Sequence, residues 1–133
     1  YSRLRELDIE AHYLFHAIPL RGMGHHRTSL ARGLELANML GSNGEFSGRS
    51  KPRFAVLSDI GKIVVYHDTV VDHRTADNSL LLRSGFNLAE RMRWNPSWTP
   101  PADTIIADDG TMFTWYRDGN DDVGAMPAIA AAE

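Results

Sequence analysis

Cysteine is absent from this 133-residue sequence. Disulfides, thiol nucleophiles and cysteine-ligated zinc are excluded with it. Such a chain suits a reducing compartment, and the location it predicts is cytoplasmic. No apolar run approaches the roughly 20 residues that a membrane span needs, so no membrane association is expected. The spacings GxxxxGK[ST], HExxH and GxSxG are also missing. Their absence removes the nucleotide P-loop, the zincin helix and the hydrolase nucleophile elbow. The chain starts at Tyr1 rather than methionine, which fits a processed, trimmed or partial polypeptide, and no signal peptide is recognisable.

What is present is ordinary for a soluble globular protein: 43% hydrophobic and 23% charged residues. The length predicts one domain over 1–133, with a frayed tail at 128–133. The net charge of −3 hides an asymmetry. Residues 1–53 carry eight Lys/Arg against five Asp/Glu, and residues 54–133 carry six against twelve. The basic half contains the cluster Arg49, Lys51 and Arg53. It is too short, and too poor in aromatic neighbours, to argue for nucleic acid.

The most organised stretch is Arg21 to Gly41. Leu30, Leu34, Ala37 and Leu40 recur at helical spacing with Gly33 on the same side, and Thr28 or Ser29 can cap the first turn. This predicts a helix over about 29–40 that stops at Gly41. The turn before it holds Arg21, Gly22, Gly24, His25 and Arg27. Free N–H groups at a helix start, glycines that admit close approach and arginines that grip oxyanions make it a candidate anion site.

Elsewhere, Leu4, Leu7, Ala11, Leu14 and Ile18 predict a helix over about 2–18, with a strand at Ala11–Ile18 as the alternative. Phe54–Leu57 and Ile63–Tyr66, the latter extending towards Val71, predict a hairpin over about 54–71 around Asp59-Ile60-Gly61. Residues 72–79 read as polar loop, and Leu81, Leu88 and Met92 as one face of a helix over about 80–93. Pro96, Pro100 and Pro101 exclude regular structure over 95–102. A second hairpin is expected over about 104–116 around Asp109-Gly110. A two-residue loop there pairs Ile106 with Phe113 and turns Phe113 and Trp115 to the core. The fold class is α+β: a mainly antiparallel sheet from two hairpins, packed with two or three helices.

Histidine offers one candidate chemistry. On the expected first helix, His12 and His16 are four residues apart and share a face, the spacing of a two-histidine metal site. His25, His26, His67, Asp68, Asp72 and His73 add donors, but in a strand His67 and Asp68 point to opposite faces. Chance spacing of surface histidines is the competing explanation.

A second candidate is a family resemblance. RGMG, followed by a helix ending ELANMLG, resembles the acyl-CoA pyrophosphate loop and helix of GNAT-type N-acetyltransferases. Arg21, Gly22 and Gly24 match that family's RGxGxG/A loop. SLLLRSGF (Ser79–Phe86) is similar to its helix ending in Gly-Phe, and FTWYRDGNDDVGAM (Phe113–Met126) to its closing strand. The resemblance implies that backbone N–H groups of residues 22–27 bind the pyrophosphate of acetyl-CoA or another acyl-CoA. It leaves the catalytic residues unassigned. His26 stands where the family has its third loop glycine, Leu81 or Leu82 replaces its general-acid tyrosine, and its first strands have no counterpart.

The third candidate is a partner surface. Trp94, Trp98 and Trp115 lie near prolines and an acidic C-terminal half, a combination that suits a protein partner if the rings are exposed. Tryptophans that fill the core are the alternative. The favoured reading is therefore a non-enzymatic, partner-binding α+β module that needs no cofactor. An acyl-CoA-dependent N-acyltransferase is second, and a histidine metal site third.

Overall fold

The computed structural model describes residues 1–46, 48 and 51–121. The expected tail at 128–133 and residue Arg49 lie outside them. The fold is α+β, with seven strands in two sheets and three α-helices among the described residues.

The first sheet runs in the order β1 (Tyr13–Phe15), β2 (Arg53–Ser58), β3 (Gly61–Val64). β1 lies parallel to β2, and β2 and β3 form an antiparallel hairpin. A parallel neighbour requires a crossover, and helix α2 (Leu30–Ser42) supplies it. Its buried face carries Leu30 and Gly33, and Leu34 and Ala37 pack against the same core. The expected 29–40 helix is thus present, capped by the Ser29 hydroxyl, and continues through Gly41 to Ser42.

The second sheet is antiparallel, in the order β4 (Val70–Arg74), β5 (Ser79–Asn87), β7 (Thr111–Arg117), β6 (Ile105–Ile106). One core lies between the sheets and α2. Phe54, Val56, Ile63 and Val65 come from the first hairpin, Leu82, Met112 and Tyr116 from the second sheet, and Leu30 from the helix.

Four expectations need correction. The 2–18 helix is only α1 (Ser2–Glu6), which ends as the chain turns through Asp8 in a left-handed conformation. Leu4 and Leu7 stay exposed, so the apolar stripe has nothing to bury against and cannot hold a longer helix. Tyr13–Phe15 pairs with β2 instead, within the strand alternative. The 54–71 hairpin ends its second arm at Val64, and Val70–Arg74 crosses to the second sheet as β4, displacing the expected 72–79 loop.

The 80–93 helix is β5 followed by a short helix, α3 (Leu88–Trp94). Leu80, Leu82 and Ser84 alternate inwards, and Asn87 starts the helix by accepting from the N–H groups of Ala89 and Glu90. In the 104–116 hairpin the register is shifted. Ile105 faces Phe113 and Ile106 faces Met112, because the loop holds three residues, with Gly110 at φ +82° closing it. That shift alone moves Ile105 and Ile106 to different partners. Along β7 the buried residues are Met112, Thr114 and Tyr116, while Phe113 and Trp115 are half-buried on the opposite face. The side chain of Arg74 lies over the Trp115 ring, 4.4 Å from its centroid.

Candidate functional site

The densest polar arrangement sits where β1 leaves the first sheet, α2 begins and β7 ends. His16 is buried just beyond β1, and its backbone N–H donates to Ala55 O at 2.9 Å. Its ring Nδ1 is 2.7 Å from the Tyr116 hydroxyl, and Nε2 is 2.7 Å from Thr28 O. A carbonyl only accepts, so Nε2 carries the proton and Nδ1 accepts from the Tyr116 O–H. The ring is then neutral. Burial holds its pKa below the ordinary histidine value, and the neighbouring Arg27 cation lowers it further against the opposing effects of Thr28 O and Asp118. Burial likewise raises the Tyr116 hydroxyl above its ordinary value.

Arg27 is also buried. Its guanidinium donates to Ala17 O, Asp118 O and Arg117 O at 2.7–2.9 Å and to the Tyr116 hydroxyl at 3.1 Å. One arginine therefore ties the segment after β1 to the end of β7, and its charge faces carbonyl dipoles rather than a ligand.

The start of α2 is occupied as well. Asp121 accepts from the Ser29 N–H and hydroxyl at 2.8 and 2.7 Å, and Asp118 accepts from the Leu30 N–H at 2.7 Å. Hydrogen bonds from Ser29 hold the Asp121 carboxyl below the usual carboxylate range. The partial positive charge of the helix start is thus met by two carboxylates of the protein itself. In the preceding turn Arg21, Gly22, Gly24 and His25 are exposed, and Gly22 has φ +79°. The N–H groups of Met23, His26 and Arg27 bond to Leu20 O, Met23 O and Gly24 O. Of the five residues expected at an anion site, Arg27 is thus separated from the other four by burial. β1 and β2 pair through Phe15 and Ala55, so no cleft opens between them at that point.

His12 and His16 do not share a helical face. His12 is exposed against the Tyr13 ring, at the opposite end of β1 from buried His16. Four residues of strand separate them by about 13 Å. Among the described residues no group of three or more His, Asp or Glu side chains converges to hold a metal. Tyr116, Asp118 and Asp121 had no signal in the sequence, because each meets its partner across roughly 90 residues or more of chain.

A second feature is a face rather than a pocket. Phe54 and Val56 point to the core, so alternation turns Arg53, Ala55 and Leu57 to the opposite face, where Ala55 is itself fully buried. Register adds Tyr13 and Phe15 from β1 and Lys62 and Val64 from β3. Phe15 is 47% exposed and Leu57 41%. Lys62 Nζ stands 4.1 Å from the centroid of the Tyr13 ring, and the Phe15 ring lies 5.3 Å from that of Tyr13. Exposed Ile18, Leu20 and Met23 follow directly in the chain. β1 is an edge strand. His12 O and the His16 N–H are both bonded to β2, so the backbone groups of Tyr13 and Phe15 point to the open edge.

Over 62 residues, 47% of this chain, the sequence is 36% identical to a putative L-lysine 2,3-aminomutase of Aquifex aeolicus (strain VF5). The chain spans 16% of that relative's length. No family model matches the chain, and no solved structure matches it. None of these findings concerns an acetyltransferase.

Of the three tryptophans, Trp98 packs against the core, Trp115 is covered on one side by Arg74, and Trp94 is 82% exposed. Arg91 lies between Phe86 and Trp98, 4.3 and 4.7 Å from their centroids, and donates to Ile60 O at 2.8 Å.

Proposed function

We propose that this chain is a partner-binding module without chemistry of its own, and that it docks through the outer face of the first sheet and the open edge of β1. The observation that carries this reading is the pair of exposed apolar side chains, Phe15 and Leu57, beside the open edge of β1. All-parallel sheets are covered on both faces and their strands read as continuous apolar runs, whereas a strand with one solvated face alternates apolar and polar residues. β2 contains such a run, Phe54-Ala55-Val56-Leu57. α2 and the second sheet pack against the face that carries Phe54 and Val56. The other face presents Phe15 and Leu57 to solvent, and the exposed Ile18, Leu20 and Met23 follow Phe15 in the chain. Large apolar side chains left exposed on a small domain point to an interaction site.

The partner is a protein surface that offers apolar side chains and an extended segment to pair with β1. The buried polar cluster around His16 and Arg27 is the support that fixes this face, since its donors and acceptors are spent on one another.

The test is photo-crosslinking in the native cell from a probe amino acid placed at Phe15, with the same probe at Trp94 as a control. A discrete adduct is expected from position 15, lost on Leu57→Glu while the circular dichroism stays native. No adduct, or one indifferent to Leu57→Glu, would remove the proposal.

A further inference from the structure

The docking face depends on a strand that is weakly held. β1 has three residues and pairs with β2 alone. Phe15 is largely exposed, and of its three side chains Leu14 is the one that packs against the core. What locks the strand to the rest of the molecule comes immediately after it. The His16 ring reaches β7 through the Tyr116 hydroxyl and the start of α2 through Thr28 O.

We infer that His16 is an acid-sensitive latch on the docking face: its protonation breaks the tie to the second sheet, lets β1 part from β2 and releases the bound partner. This rests on the docking reading above. The geometry gives the reason. A second proton on Nδ1 turns an acceptor into a donor, and it meets a Tyr116 oxygen that already accepts from Arg27 at 3.1 Å. The displaced hydroxyl proton has only Ala17 O to turn to, at 3.5 Å. The new charge also stands 3.5 Å from the Arg27 guanidinium.

The groups facing His16 from each packed element are Arg27 and Thr28 O before α2, Tyr116 on β7, Asp118 beyond β7 and the Phe54 ring on β2. Asp118 is the single carboxylate among them. It already bonds the Leu30 and Gly119 N–H groups, so it offsets the second cation only in part.

The experiment uses the full chain alone, so its failure and the failure of docking are separable. Amide hydrogen exchange is measured at pH 7 and pH 5, expressed as protection factors for the His16 and Arg53 N–H groups that bond across β1 and β2. Wild type is expected to lose roughly tenfold or more of that protection at pH 5. β5 and β7 amides should keep theirs. His16→Gln, which offers the same neutral donor and acceptor, is expected to hold β1 protection constant. Should that variant not fold, the NMR titration of the wild-type His16 ring must share its midpoint with the loss of protection. Unchanged wild-type protection, an equal loss in His16→Gln, a loss shared by β5 and β7, or mismatched midpoints would each overturn the latch.

Discussion

Gly119 shows how a single residue can hold two elements together. A Cβ there would run into the carbonyl of Thr28, and the next N–H, that of Asn120, donates to Arg27 O at 3.0 Å. The end of β7 therefore lies directly against the chain entering α2. Gly119→Ala is expected to cost about 1–3 kcal/mol or more, since backbone cannot give way as a flexible side chain does. Urea denaturation reads the loss. Thr104 is the opposite case, its buried hydroxyl lacking a partner among the described residues. Thr104→Val should leave stability unchanged or slightly raised in the same assay, because it removes an unsatisfied polar group and keeps the shape. Gly119 was not legible in the sequence. Its partner is about 90 residues away in the chain.

Elements were legible where local pattern and tertiary need agree. The α2 helix combines helical spacing with a capping serine, and the Asp59-Ile60 turn is flanked by strand formers, so both were readable. Leu80–Phe86 was not, because three leucines followed by Arg-Ser-Gly-Phe suit a helix or a buried strand equally well. Pairing with β4 and β7 on both sides decided it. The second hairpin was readable as a hairpin, but its register hung on one loop residue. The observed register makes a direct prediction. Met112→Ala should cost about 2–5 kcal/mol, since Met112 is fully buried. Phe113→Ala should cost less, its ring being half-exposed with Arg83 above it. Thermal or urea unfolding of the two variants would show the reverse order if the two-residue loop were right. α3 gives a smaller test. Asn87→Ala removes the side chain that accepts from Ala89 and Glu90 and should cost about 1 kcal/mol.

At the scale of the whole molecule, the sequence conveyed the class but not how the candidate residues are arranged. Composition and hairpin signals were enough for α+β. The anion turn and the histidine pair each relied on residues being close in sequence, and long-range contacts separate them: Arg27 is drawn into the seam and His16 into the core. The outer face of the first sheet was invisible beforehand, because it exists only once β1 is known to lie parallel to β2. Stability should follow pH accordingly. The His16 pKa is lowered in the folded state, so its contribution is complete above the ordinary histidine value near 6.5 and is lost as pH falls towards the lowered one. Asp77, Asp109 and Asp121 are depressed carboxylates. Their contribution is present above the ordinary carboxylate range and is lost in stronger acid, for Asp77 as pH approaches about 2. Two separate acid losses are expected in urea midpoints measured against pH, and His16→Gln should remove the upper one.

The docking face is tested most directly by hydrogen exchange at the open edge of β1. The chain is compared free and in complex with the protein that crosslinks at position 15. The Tyr13 and Phe15 amides, whose N–H groups point away from β2, should exchange freely in the isolated chain and become protected in the complex, with the Trp94 amide unchanged. Equal exchange of Tyr13 and Phe15 in both states would contradict docking through this strand.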